Sequence, residues 1–141
     1  MILLDTNVVS EPMRQHPERR VQDWLDAQAA ETLYLSTVSL SELLLGIESL
    51  PRGRRRKGLT AALGLQIEGL FEDRIIPFDV AAAEAYAKVV TVARRNGYPI
   101  SVADGQIAAI AAARKLAVAS RDEAPFRAAG LSVINPWKAE Q

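Results

Sequence analysis

Four carboxylates stand near the ends of short apolar runs. Asp5 directly follows Ile2, Leu3 and Leu4, and Asp122 follows the run 116–119 with Ser120 and Arg121 between. Glu42 and Asp104 fall early in two helical patterns, one behind the run 32–36 and one opened by Ser101. A continuous apolar run bounded by polar residues reads as a strand buried on both faces, as in a parallel sheet. The carboxyl ends of such strands share one edge, and ligands bind there. The four acids can therefore meet in one cleft.

Charged carboxylates do not share a dry cleft unpaired, because each raises the pKa of the others. A divalent cation resolves this. It is held by a few carboxylates and waters, with room left for a substrate phosphate. Such a site activates a water and stabilises charge on a phosphodiester oxygen. Thr6, Asn7, Ser101 and Ser120 are placed to hydrogen-bond and orient the acids. A plainer reading stays open at each position. Ser39-x-x-Glu42 is a capping box and Ser101-x-x-Asp104 resembles one. Asp122 suits a turn or a helix cap. Asp5 is harder to explain away, since a carboxylate behind a buried run needs a partner.

The elements that must carry these acids alternate. Strands are predicted at 2–4, 32–36, 74–78, 116–119 and 131–134. Helices are predicted at 17–30, 39–50, 59–71, from Asp79 as N-cap to about 95, and from Ser101 to about 115. A short helix lies within 121–129, and Ser10 to Pro17 reads as a turn or a short helical turn. Alternating strands and helices imply an α/β fold, a three-layer αβα sandwich on a mainly parallel sheet of about five strands. The 141 residues form one domain, 1–141, and at 49% hydrophobic they can bury a core unaided. There is no cysteine and one histidine, His16, so thiolate and multi-histidine metal sites are excluded. Oxygen ligands favour Mg2+ or Mn2+. Lysine plus arginine and aspartate plus glutamate number 17 each, which gives no general electrostatic grip on nucleic acid. The first apolar run lacks a basic leader and no run approaches a membrane span, so the expected location is the cytoplasm.

LLDTNVVSE at 3–11 resembles the start of PIN-domain proteins, in particular VapC-type toxins of bacterial toxin–antitoxin pairs. The likeness continues through LSTVSLSELLLGI, PFD at 77–79, ISVADGQIAAIA, VASRDEAPF and VINPW. It covers nearly the whole chain and looks closest to the FitB-like branch, which shares the final NPW. The resemblance implies an αβα fold and an Mg2+- or Mn2+-dependent ribonuclease. Its acids fall on Asp5, Glu42, Asp104 and Asp122. Asp5, Asp104 and Asp122 hold one metal or two, and Glu42 serves as ligand or as partner of the attacking water. Thr6 and Asn7 match the polar pair after the first acid, and Ser120 matches the family's Thr or Ser. One departure stands out. Many relatives carry Asp-Phe where this chain has Pro125-Phe126, so Asp122 has to serve, with Glu123 the weaker substitute. The implied partners are an RNA substrate, a second copy in a homodimer, and an antitoxin. The antitoxin's C-terminal segment enters the acidic cleft and its other end binds operator DNA.

The basic run Arg52, Arg54, Arg55, Arg56 and Lys57 offers RNA phosphate contacts, or is a solvated turn between helices. A catalytically silent PIN-like module, acting with an antitoxin in a DNA-binding repressor, is the alternative from another class. A haloacid-dehalogenase-like phosphatase needs a second Asp two residues after the first, where this chain has Asn7.

Overall fold

The computed structural model describes residues 1–139. Five short strands form one sheet. Strand β1 (Ile2–Leu4) lies at its centre, with β2 (Leu33–Ser36) and then β3 (Ile75–Ile76) on one side. On the other side lie β4 (Ala117–Ala119) and then β5 (Val133–Ile134). Every pairing is parallel. Leu4 is level with Leu35 and Ala119. Asp5, Ser36 and Ser120 therefore leave the sheet side by side at the carboxyl edge.

The central strand reads as a continuous apolar run because both its faces are covered. Successive side chains point to opposite faces. Leu3 and Val118 pack on one side with α5 (Val80–Arg95), α6 (Val102–Arg114) and α7 (Ala124–Ala128). Leu4, Leu35 and Ala119 pack on the other with α1 (Thr6–Ser10), α3 (Thr37–Glu48) and α4 (Arg54–Gln66). Leu3 and Leu4 are almost wholly buried, and each such side chain stabilises the fold by about 2 kcal/mol. The remaining helix, α2 (Arg19–Ala27), places Trp24 against the second cluster, where Trp137 also packs. His16 is exposed. Among the described residues no helix is long and apolar enough to cross a membrane.

The alanine-rich helices pack in the core, where Ala108, Ala109 and Ala111 of α6 are fully buried. Gly105 makes the contact of α6 with α5 especially close. A Cβ there would lie 2.9 Å from Tyr86 Cε2 and 3.0 Å from Val90 Cγ2. Asp79 caps α5 as expected, its carboxylate accepting the Ala82 N–H at 2.9 Å.

The structure departs from the predicted boundaries in three places that matter for the site. Helix α1 starts at once after β1, because the Asp5 carboxylate accepts the Thr6 N–H. Helix α3 begins at Thr37, with Ser36 as its N-cap accepting the Ser39 N–H at 2.9 Å. Ser39 is therefore inside the helix and the Ser39-x-x-Glu42 capping box does not form. Helix α4 begins at Arg54, so most of the basic run is helical rather than a turn. Arginine and lysine are good helix formers, but here they crowd the end where the helix dipole disfavours cations. A wider π turn at Ile67–Phe71 then closes this helix.

Candidate metal-binding active site

Asp5, Thr6, Asn7, Ser10, Glu42, Asp104 and Asp122 line one cleft of about 300 Å3 at the carboxyl edge of the sheet. The structure thus brings all four predicted acids together, each by a different route. Asp5 is fixed by the central strand, its N–H donating to the Ala119 carbonyl at 2.9 Å. Glu42 comes from the second turn of α3, not the first, and accepts the Thr6 hydroxyl at 2.8 Å. Asp104 is in the first turn of α6, whose N-cap Ser101 accepts the Asp104 N–H at 3.1 Å. There the capping reading and the cleft reading are both right, since the backbone is capped while the carboxylate lines the cleft. Asp122 hangs on the loop between β4 and α7.

Ser120 links two of the acids. It is fully buried. Its hydroxyl donates to Asp5 Oδ2 at 2.7 Å and accepts the Asp122 N–H at 3.0 Å. Asn7 Oδ1 accepts the Arg121 N–H at 3.3 Å, tying α1 to the same loop. Glu123 does not enter the cleft lining. Its carboxylate is taken by Asn135, Arg127 and Lys138, which lower its pKa to about 2.

The electrostatics are those of uncompensated negative charge. Asp5 is 6% exposed. Burial pushes its pKa up to about 6 against the pull of the Ser120 and Thr6 hydrogen bonds, and the charges of Asp104 and Glu42 add to the rise. Asp104 is also raised, by burial first and then by Asp122 and Glu42, with Ser101 opposing. Among the described residues the ion pairs involve Glu11, Asp23, Glu48, Asp73, Asp79 and Glu123, and none reaches the four cleft acids. Carboxylates gathered without a cation form a hard oxygen donor set suited to a divalent ion. Among the described residues no trio of His, Asp and Glu side chains encloses a metal directly. The open cleft has room for water beside the carboxylates.

Beside the acids lies a mainly apolar hollow of about 290 Å3, built by Met13, Leu43, Ile47, Leu50 and Leu59. It shares Thr6, Ser10 and Glu42 with the cleft and carries Arg14 and Arg55. Arg55 is thus the member of the basic run that lines the hollow beside the cleft. Arg52, Arg56 and Lys57 line a separate hollow, and Arg56 pairs with Glu48. Arg54 is exposed and borders neither. Ser10 and Arg14 were not anticipated. Reading α1 as a helix would have found Ser10, one turn after Asn7 on the same face.

The PIN domain family profile matches residues 2–131. VapC ribonuclease Y4jK of Sinorhizobium fredii is 45% identical, over 98% of this chain and 99% of that protein. Toxin FitB of Neisseria gonorrhoeae is 46% identical, over 97% of this chain and 99% of that protein. A solved structure of FitAB bound to an IR36 DNA fragment superposes with a TM-score of 0.94 at 43% identity, covering 100% of this chain and 99% of that one. Family profile, sequence identity and superposition agree, and the chain belongs to the PIN-domain family, in the group that holds Y4jK and FitB.

Proposed function

We propose that residues 1–141 act as one domain, a metal-dependent endoribonuclease and the toxin half of a toxin–antitoxin pair in the cytoplasm. One observation carries the reading. Asp5 is a buried carboxylate without a cationic partner among the described residues, held in place by Ser120 and Thr6 and facing further acids across the cleft. Asp5, Asp104 and Asp122 would hold Mg2+ or Mn2+. When bound, the ion supplies activation of a water and neutralises charge on a phosphodiester oxygen. The residues of the chain do the rest. Ser120 keeps Asp5 oriented and sets the height of Asp122. Thr6 holds Glu42 at the cleft wall, as a ligand or as the acceptor of the water's proton. Arg55 and Arg14 line the hollow beside the cleft, where they would contact the flanking phosphates of an RNA strand, and Arg52, Arg54, Arg56 and Lys57 would add contacts farther off.

The names of the relatives support a partner as well as an activity. An antitoxin segment entering the acidic cleft would have the apolar hollow beside it to fill, and operator DNA would be reached through that antitoxin. A homodimer is part of the same proposal.

The test is incubation of partner-free protein with total bacterial RNA in Mg2+, in Mn2+ and in EDTA, beside Asp5→Asn. Discrete cleavage that needs both the metal and Asp5 is expected. Full activity in Asp5→Asn overturns the assignment. No cleavage, with a melting temperature unmoved by Mn2+, leaves a silent binding module instead.

A further inference from the structure

Asp122 differs from the other cleft acids in what carries it. Asp5 follows a central strand, and Glu42 and Asp104 ride on helices of 12 and 13 residues. Asp122 sits in the loop between β4 and α7, where no repeating hydrogen-bond pattern fixes the backbone. Ser120 holds its N–H, and the segment 135–138 grips the residues on either side of it. The Asn135 amide donates to Glu123 Oε2 at 2.9 Å and, over a longer 3.4 Å, to the Arg121 carbonyl. Asn135 Oδ1 accepts the Trp137 N–H at 2.9 Å, which fixes which way the amide faces. The Arg121 guanidinium lies over the Trp137 ring at 5.2 Å, and Lys138 bonds Glu123 at 2.9 Å. The segment is itself anchored, because Arg20 donates to the Trp137 carbonyl at 3.0 Å.

We infer that Asn135 is a positioning residue for Asp122. It stands on the far side of the loop, is absent from the cleft lining, and acts by holding residues 121 and 123 so that the carboxylate between them faces Asp5 and Asp104. Residues that orient metal ligands in this indirect way change ion affinity by about 10–100-fold when removed. The consequence for metal binding rests on the nuclease reading, whereas the clamp on the loop does not.

Two measurements on the full chain separate these. Amide hydrogen exchange of the metal-free protein reads the clamp alone. In Asn135→Ala the Asp122 and Arg121 N–H groups should lose protection by tenfold or more, while the Asp5 N–H, bonded within the sheet, keeps its own. Mn2+ titration calorimetry then reads the consequence in wild type, Asn135→Ala, Asp122→Asn and the double variant. Asn135→Ala should weaken Mn2+ binding tenfold or more, and that loss should vanish in the Asp122→Asn background, as coupling through Asp122 requires. Asn135→Asp guards against a variant that does not fold. It keeps the acceptor for Trp137 but faces Glu123 with like charge, and adding Glu123→Gln restores a donor between the two positions and should restore Mn2+ affinity. Unchanged exchange at Asp122 in Asn135→Ala overturns the inference. So does an affinity loss of the same size with and without Asp122. A wild type that binds no Mn2+ defeats the nuclease reading instead, and exchange still decides the clamp.

Discussion

Replacing Asp5 with Asn should make the metal-free protein more stable while it abolishes cleavage. Burial lifts the Asp5 pKa from its ordinary 3.8 to about 6 in the folded protein. The folded state therefore binds this proton more tightly than the unfolded chain does. The sign follows from linkage: stability from this group is fully present below 3.8 and is lost as pH rises through about 6. At pH 7.5 the ionised carboxylate thus weighs against the fold. The gap between the two values corresponds to about 3 kcal/mol, an upper bound for the gain on substitution. An Asn of the same shape is neutral and can still accept the Thr6 N–H that Asp5 accepts now. For a chain of this length the gain is a rise of about 5–10 °C in melting temperature. The assay is thermal unfolding of both proteins in EDTA at pH 7.5 and at pH 4.5, then in Mn2+ at pH 7.5. The advantage of Asp5→Asn should shrink at pH 4.5, where the wild-type carboxyl is protonated in the folded protein. Mn2+ should raise the wild type and leave the variant where it was. If Asp5→Asn melts below wild type at pH 7.5 by the same margin as at pH 4.5, the ionised carboxylate is a structural cap and the argument from burial is wrong.

Three further substitutions test other parts of the structure. Ser36→Ala should cost about 0.5–2 kcal/mol as a lost helix cap. Ser39→Ala should be neutral or stabilising, because the buried Ser39 hydroxyl has no hydrogen-bond partner among the described residues; chemical denaturation of both decides which serine caps α3. Arg54→Glu with Arg55→Glu should stabilise α4 by about 0.3–1 kcal/mol per site through the helix dipole. The same pair should weaken binding of single-stranded RNA and flatten its salt dependence; RNA affinity unchanged at low salt would exclude these cations as contacts. Gly105→Ala should destabilise the protein by about 1 kcal/mol, the clash with Tyr86 and Val90 outweighing the gain in helix propensity. A rise in melting temperature would show that α5 and α6 are not in the tight contact described.

The strands were legible where burial writes itself into a run. Ile2, Leu3 and Leu4 must all be apolar because each face of β1 meets a helix layer. Asp5 was legible for the same reason, standing directly behind β1, and Asp122 follows β4 closely, whereas Glu42 and Asp104 ride on helices. Boundaries were harder, since local chemistry offered two answers. Ser36 and Ser39 are both good caps, and only the packing of α3 against the sheet selects Ser36. The run 52–57 looks like a solvated break because cations at a helix start contradict the dipole, and tertiary placement overrides that preference. The strands β3 and β5 shrink to two residues each because they are edges of the sheet, where long exposed strands are a hazard. The grip of Asn135 on the Asp122 loop was not legible at all. It joins positions 12 and 14 residues apart through an amide that carries no periodic signal.

The place of β1 in the sheet also imposes an order in time. Of the five described strands the earliest in the sequence is the central one, and one of its two neighbours, β4, follows more than a hundred residues later. Pairings of such long range are slow to form, and synthesis proceeds at about 5–20 residues per second. While the chain is being made, Asp5 and Glu42 exist for seconds without Asp104, Asp122 or Ser120, and no cleft can close around an ion. On the proposed nuclease reading, the chain would stay inert beside the ribosome and the message that encodes it until Ser120 and Asp122 are out. Ribosome-bound chains stalled at residue 115 should accordingly leave RNA intact in Mn2+, and the released full-length chain should not.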